Sequence, residues 1–221
     1  MQRIKVWDGW VRLFHWAVVL LVAAQYATAE LGLMDWHIRL GFTVLALVLF
    51  RLAWGLVGSE TARFASFLRA PRAALAHLRQ LNRREPDTEV GHNAAGGWMV
   101  LGMLALLLAQ VATGLFANEE PGESYGAHGP FALAISSGLS DALTGLHEAG
   151  FNLLMLAVAV HVGAVLTYAL LKRHDLVRPM VTGFKRLPAG VVAPRLGNPV
   201  LAAMLLGLAA AFAWWLSGQG G

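Results

Sequence analysis

Apolar positions fall along this chain in five long blocks separated by shorter polar stretches. Residues 13–29, 38–57, 94–117, 149–171 and 200–216 are uncharged or nearly so. Each is long enough to cross about 30 Å of hydrocarbon at about 1.5 Å per residue. None alternates like a barrel strand, and a backbone in lipid has to satisfy its own hydrogen bonds, so the pattern predicts five transmembrane helices. In residues 58–93, Phe64, Phe67, Leu68, Leu75, Leu78 and Leu81 recur at helical spacing between arginines. That predicts either an interfacial amphipathic helix, possible as two short ones broken at Pro71, or an ordinary basic loop. Residues 121–146, rich in Gly and Ser, predict a loop or a short surface helix, and no fixed-period repeat is visible.

Composition strengthens this picture. Of 221 residues, 57% are hydrophobic and only 14% charged, with a mean hydropathy of +0.57, which suits an integral membrane protein and not a soluble domain. The expected class is an all-α integral membrane protein. The expected organisation is a single membrane domain over residues 1–186, followed by a linker and an appended C-terminal transmembrane helix over 187–221.

Charge predicts an orientation. The first dozen residues, the connections 58–93 and 172–198, and Arg51 at the adjoining end of the second span hold sixteen of the seventeen Lys and Arg; only Arg39 falls outside. The opposite connections hold seven of the thirteen acids, Glu30, Asp35, Glu119, Glu120, Glu123, Asp141 and Glu148. The positive-inside rule then puts the N-terminus in the cytoplasm and the C-terminus in the periplasm of a bacterial inner membrane. The pI near 10.0 thus reflects loop sidedness among lipid headgroups, and no nucleic-acid partner is expected. Residues 11–30 open like a cleavable leader ending in Ala27-Thr28-Ala29. The second span follows so closely, and the charge bias includes the first so well, that the first is expected to be kept. With no cysteine, disulfides, thiolate metal sites, covalent haem attachment and cysteine-ligated iron-sulfur clusters are excluded.

Histidine supplies the candidate chemistry. His77, His128 and His174 lie in connections, where solvated surface roles are expected. His147 and His161 are fourteen residues apart around the fourth span, just under four helical turns, so they leave nearly one face about 21 Å apart along the axis. His15 lies fourteen residues before Ala29, which puts it at the depth of His161. His37 starts the second span, at the depth of His147. Two pairs at two levels are what bis-imidazole ligation of two b-type haems requires, and burial favours the neutral imidazole that ligation needs. For any one histidine alone, a hydrogen bond between helices is the simpler role; the matched quartet favours ligation.

His92, in GHNAAGG, competes with His15 as the partner of His161; alternatively it binds a haem propionate together with Asn93. Arg12 and Arg51 are candidates for propionate pairing, and equally for snorkelling to headgroups. Arg51, Trp54 and the GHN segment are also candidate quinone contacts.

The segments VWDGWVRLFHW, WHIRLGFTVLALVLFRLAWGLVGSETARFASF, GHNAAGGWMVLGMLALLL and LHEAGFNLLMLAVAVHVGAVL resemble the bacterial cytochrome b561 and nickel-iron hydrogenase b-type cytochrome family, over roughly residues 5–186. The resemblance implies a four-helix core with two non-covalent b haems ligated from helices one, two and four, which supports His15, His37, His147 and His161. It also implies electron transfer between the quinone pool and a redox partner. The fifth helix departs from that pattern. Three functions follow as expectations. One is an electron-transfer subunit serving a dehydrogenase, a hydrogenase or a periplasmic c-type cytochrome that docks on the acidic face. The second is a stand-alone quinone reductase of the superoxide oxidase type. The third is a transporter or anchor whose histidines bind a divalent metal or one another.

Overall fold

The computed structural model describes residues 1–80, 85–118 and 128–219. Glu119, Glu120 and Glu123 of the acidic face, Leu81 of the amphipathic stretch, and residues 121–127 of the Gly-rich connection lie outside the described residues. Among the described residues, five helices are long and apolar enough to cross a membrane: α1 (Gly9–Glu30), α2 (Met34–Val57), α5 (Ala94–Gly114), α6 (Ser137–Thr167, continued by a π-helical turn to Lys172) and α8 (Pro199–Ser217). Leu20, Leu156 and Leu208 on these helices are about two-thirds exposed, a placement that suits lipid and not water. The all-helical membrane class expected from the sequence is borne out.

One of the sequence alternatives is realised, and two helix starts differ from the expectation. The basic connection forms two short helices, α3 (Phe64–Phe67) and α4 (Pro71–Leu78), with Pro71 opening the second; proline fits a first helical turn because no partner is lost there. Helix α2 begins at Met34, three residues before His37, because Asp35 suits the positive end of the helix. Helix α6 begins at Ser137, twelve residues before the apolar block, so His147 lies well inside a helix. The chain also makes one strand pair that hydropathy does not signal: β1 (Gln2–Lys5) runs antiparallel to β2 (Phe184–Leu187), Gln2 opposite Leu187 and Lys5 opposite Phe184. Helix α7 (Val177–Thr182) precedes β2.

The chain divides into two compact units. One comprises residues 1–15, 51–102 and 157–205. Here Asp8 caps α1: the Val11 N–H donates to its Oδ1 at 2.8 Å, satisfying an otherwise orphaned donor of the first turn. The fully buried Trp54 donates its indole N–H to the other carboxylate oxygen at 3.1 Å. Thr61 donates to the Val6 carbonyl at 2.7 Å, and the α7 C-cap Gly183, at φ +86°, turns the chain where a Cβ would lie 2.9 Å from the Trp7 carbonyl oxygen. The linker to α8 is docked by the Glu60 N–H to the Arg195 carbonyl (2.9 Å) and the Gly197 N–H to Ser59 Oγ (2.8 Å).

The other unit comprises residues 16–50, 103–156 and 206–221. Its core gathers Leu45 and Ala46 of α2 with Ala213 of α8, flanked by Phe42, Leu49, Val111 and Leu216. Burying these small and branched side chains packs the fifth helix tightly against α2 and α5.

Candidate haem-binding sites

The two histidine pairs expected from spacing each meet inside one unit. In the first unit, His15 of α1 and His161 of α6 have ring centroids 6.4 Å apart, tilted by 55°. In the second, His37 of α2 and His147 of α6 are 6.2 Å apart at 78°. Two first-row metal–imidazole bonds of about 2.0–2.1 Å, each extended by the roughly 1.1 Å radius of a five-membered ring with ~1.35 Å bonds, give a centroid separation of about 6.3 Å. Both pairs therefore have the spacing at which one iron binds a nitrogen from each ring.

The second unit shows how the rings are aimed. The tight turn after α1, with Gly32 at φ +66° and the Leu33 N–H donating to the Thr28 carbonyl at 2.8 Å, returns the chain so that α2 lies beside the end of α1. His37 Nδ1 then lies 3.1 Å from the Gln25 carbonyl oxygen. Beyond α5, the Ser140 hydroxyl donates to the Phe116 carbonyl (2.8 Å) and the Asn118 N–H to Thr144 Oγ1 (2.8 Å). These bonds fix the register of α6 so that His147 Nδ1 lies 2.9 Å from the Gln110 carbonyl oxygen. A carbonyl only accepts, so both Nδ1 atoms carry the proton, and each Nε2 keeps the lone pair a metal needs. Gly114 makes room for the ring: a Cβ there would stand 2.7 Å from His147 Cε1. Both histidines line a cavity of about 680 Å³, walled by Gly41, Phe42, Val111, Gly114 and Phe151. Its size and largely apolar wall suit a flat cofactor. Tyr26 and Phe151, also on that wall, stack at 5.7 Å and 2°.

Around the first pair, Arg51 is 2% exposed, with its guanidinium 5.3 Å from the Phe64 ring centre. Its Nη1 is buried with no hydrogen-bond partner among the described residues. Beside the negative charge of Asp8, this open donor leaves one hydrogen bond for a further acceptor. Arg12 is instead engaged, donating to the Met180 and Val181 carbonyls at the end of α7, where a cation complements the helix terminus. The His92 ring packs 4.7 Å from Trp7 and 4.8 Å from Phe67. Burial, reinforced by the positive charge of Arg51, lowers its pKa to about 3. Asn93 caps α5 through Oδ1 to the Gly96 N–H (2.8 Å) and donates from Nδ2 to the Tyr168 hydroxyl (2.8 Å).

His77, His128 and His174, expected to be solvated, are half-buried with polar partners. His77 Nε2 pairs with the Tyr168 hydroxyl, His174 Nε2 with the Glu85 carbonyl at 2.9 Å, and His128 Nδ1 with the Gly129 carbonyl at 3.1 Å. Burial lowers the pKa of His77. Residues near the sites that sequence reasoning passed over include Gln25, Thr28, Gln110, Thr113 and Tyr168. The first four are polar groups inside apolar blocks, and that was their available signal.

No cluster of three or more His, Asp or Glu able to hold an ion occurs among the described residues. Facing imidazoles in twos suit the two axial positions of a porphyrin, which supplies the other four ligands itself. A cysteine-free helical membrane bundle with such pairs has the make-up of a b-type cytochrome. The sequence profile of the prokaryotic cytochrome b561 family matches residues 6–183, and the chain belongs to that family, as its sequence resemblance indicated. It is a multi-pass prokaryotic membrane cytochrome that binds haem b and acts in electron transfer. Comparison with characterised proteins and comparison with solved structures each find no match.

Proposed function

We propose that this cytochrome carries two b haems, one held by His15 and His161 and one by His37 and His147, and passes electrons between the quinone pool and a redox partner protein. The observation that carries the reading is the pair of centroid separations, 6.4 and 6.2 Å, both matching the roughly 6.3 Å of a bis-imidazole metal. Haem, when bound, supplies one-electron redox chemistry.

The protein's share is positional. Gln25 and Gln110 hold the Nδ1 protons of His37 and His147, which fixes the tautomers and presents Nε2. Arg51 offers its open Nη1 to a propionate of the haem between His15 and His161; His92 packs against Trp7 and Phe67, and Asn93 caps α5. The largely apolar walls of the 680 Å³ cavity suit the flat faces of a macrocycle. Residues 1–186 form the haem-binding core and 187–221 an appended span. The excess of Lys and Arg on one set of connections supports an orientation with the N-terminus in the cytoplasm and the acidic connections in the periplasm, where a basic c-type cytochrome is a fitting partner.

The test is a pyridine haemochrome assay on the purified protein and on His15→Ala, His37→Ala, His147→Ala and His161→Ala. The expected result is two haems per chain in the parent and loss of one from each variant. Two haems retained in His15→Ala together with loss in His92→Ala would move the ligand to His92.

A further inference from the structure

The surroundings of His37 and His147 repeat one another. On α1, Gln25 and Thr28 lie three residues apart; on α5, Gln110 and Thr113 do the same. His37 Nδ1 is 3.1 Å from the Gln25 carbonyl oxygen and 3.4 Å from Thr28 Oγ1. His147 Nδ1 is 2.9 Å from the Gln110 carbonyl oxygen and 3.3 Å from Thr113 Oγ1. Each threonine hydroxyl donates back to its own helix: Thr28 to the Ala24 and Gln25 carbonyls at 2.9 and 3.0 Å, Thr113 to the Ala109 and Gln110 carbonyls at 2.8 and 3.1 Å. The glutamine side chains repeat too. Each folds against a glycine one turn beyond the histidine: a Cβ at Gly41 would lie 3.3 Å from Gln25 Nε2, and one at Gly150 would lie 2.6 Å from Gln110 Oε1. Gln25 and His37 are 12 residues apart, whereas Gln110 and His147 are 37 apart, so no fixed sequence period exposes the likeness.

We propose that these two Gln-x-x-Thr segments are matched positioning elements that set the reduction potential of the haem between His37 and His147. This rests on the assignment of His37 and His147 as its ligands. The Nδ1–H of each ring is shared between a carbonyl and a hydroxyl oxygen. That hydroxyl spends its own proton on the helix and therefore presents a lone pair to the ring. Two acceptors draw the Nδ1 proton away from the ring, which gives the imidazole more anionic character, makes it a stronger donor and favours ferric over ferrous iron. Two equivalent elements act on the rings of both histidines at once. The pair therefore keeps this haem more reducing than a bis-imidazole haem lacking them.

The test is a spectroelectrochemical titration of the haem-loaded full chain in detergent, with low-spin ferric EPR as a second readout. The variants are Thr28→Val, Thr113→Val, the double variant, Thr28→Ser and Thr113→Ser. Thr43→Val serves as control, because Thr43 back-bonds within α2 to the Arg39 carbonyl at 3.2 Å. Each valine removes one acceptor while keeping the shape. The expected result is a two- to tenfold rise in the ferrous-to-ferric ratio of one haem at fixed ambient potential, tenfold being about 59 mV for one electron. The double variant shifts roughly twice as far, the serines return to the parent value, and Thr43→Val does not move. Unchanged potentials and EPR in the double variant with both haems bound would overturn the proposal. So would loss of the haem from valine and serine variants alike, since serine keeps the hydroxyl. If His37→Ala and His147→Ala keep two haems, the ligand assignment itself fails. If they lose one while the threonine variants leave the potentials fixed, only the positioning role fails.

Discussion

Asp8 and Trp54, 46 residues apart in sequence, share a buried hydrogen bond of 3.1 Å that ties the start of α1 to the far end of α2. The same carboxylate caps α1 through Val11. Asp8→Ala removes the cap and leaves the buried indole N–H unpaired, at a cost of about 1 kcal/mol for the first and ~1–3 kcal/mol for the second. The expected outcome is a lower thermal midpoint in detergent for Asp8→Ala, with Asp8→Asn in between because the amide oxygen still caps. Equal midpoints for parent and alanine variant would show that the bond carries no stability.

Gly114 is where a side chain does most harm to one site. A methyl group there meets the His147 ring at 2.7 Å, and the neighbour is a ring whose Nδ1 is already tied to Gln110. Gly114→Ala therefore rotates the imidazole away from its partner His37. The expected outcome is loss or a high-spin conversion of one haem with the other intact, read in the optical and EPR spectra. Gly102→Ala, where nothing lies within 4 Å of the added carbon, should leave both spectra as in the parent.

His92 makes stability depend on pH. Its folded pKa is about 3, against about 6.5 when exposed, so between those values the unfolded chain binds one proton more than the folded chain. Its contribution is complete above pH 6.5 and falls by about 1.4 kcal/mol per pH unit as the pH drops toward 3. His92→Phe lacks this titration. Thermal midpoints at pH 7.5 and 5.5 are expected to differ less in the variant than in the parent, and an equal difference in both would remove His92 as a cause.

Hydropathy made the five spans legible, and helical rise made the histidine pairing legible. Both follow from local rules: apolar run length, and fourteen residues bringing His147 and His161 to one face. What escaped was non-local. The pairing of Gln2–Lys5 with Phe184–Leu187 joins the two ends of the family-like region, and no local signal marks it. The cap at Asp8 was hidden among basic residues, and the partners of His77 and His174 come from segments nearly a hundred positions away. Helix α6 begins before its apolar block because the Ser140 and Thr144 hydroxyls bond to the Phe116 and Asn118 backbone, a contact that hydropathy does not register. The Gln-x-x-Thr pairs could be seen as letters, but their meaning depended on which histidine each would face.

Tyr168 opens the π-helical turn that ends α6, a local widening often found at sites with a specific task. Its hydroxyl receives the Asn93 Nδ2–H at 2.8 Å and pairs with His77 Nε2, so one oxygen joins α6, the cap of α5 and the short helix α4. Tyr168→Phe leaves those partners unsatisfied in a half-buried setting, at a cost of about 1–3 kcal/mol. Asn93→Ala loses the same bond and also the Gly96 cap, adding about 1 kcal/mol. Because the two share one bond, the double variant is expected to be more stable than the sum of the single losses predicts, by about 0.5–2 kcal/mol. Thermal or denaturant midpoints of the four proteins close this cycle, and strict additivity would mean that the Asn93–Tyr168 bond contributes nothing beyond the cap.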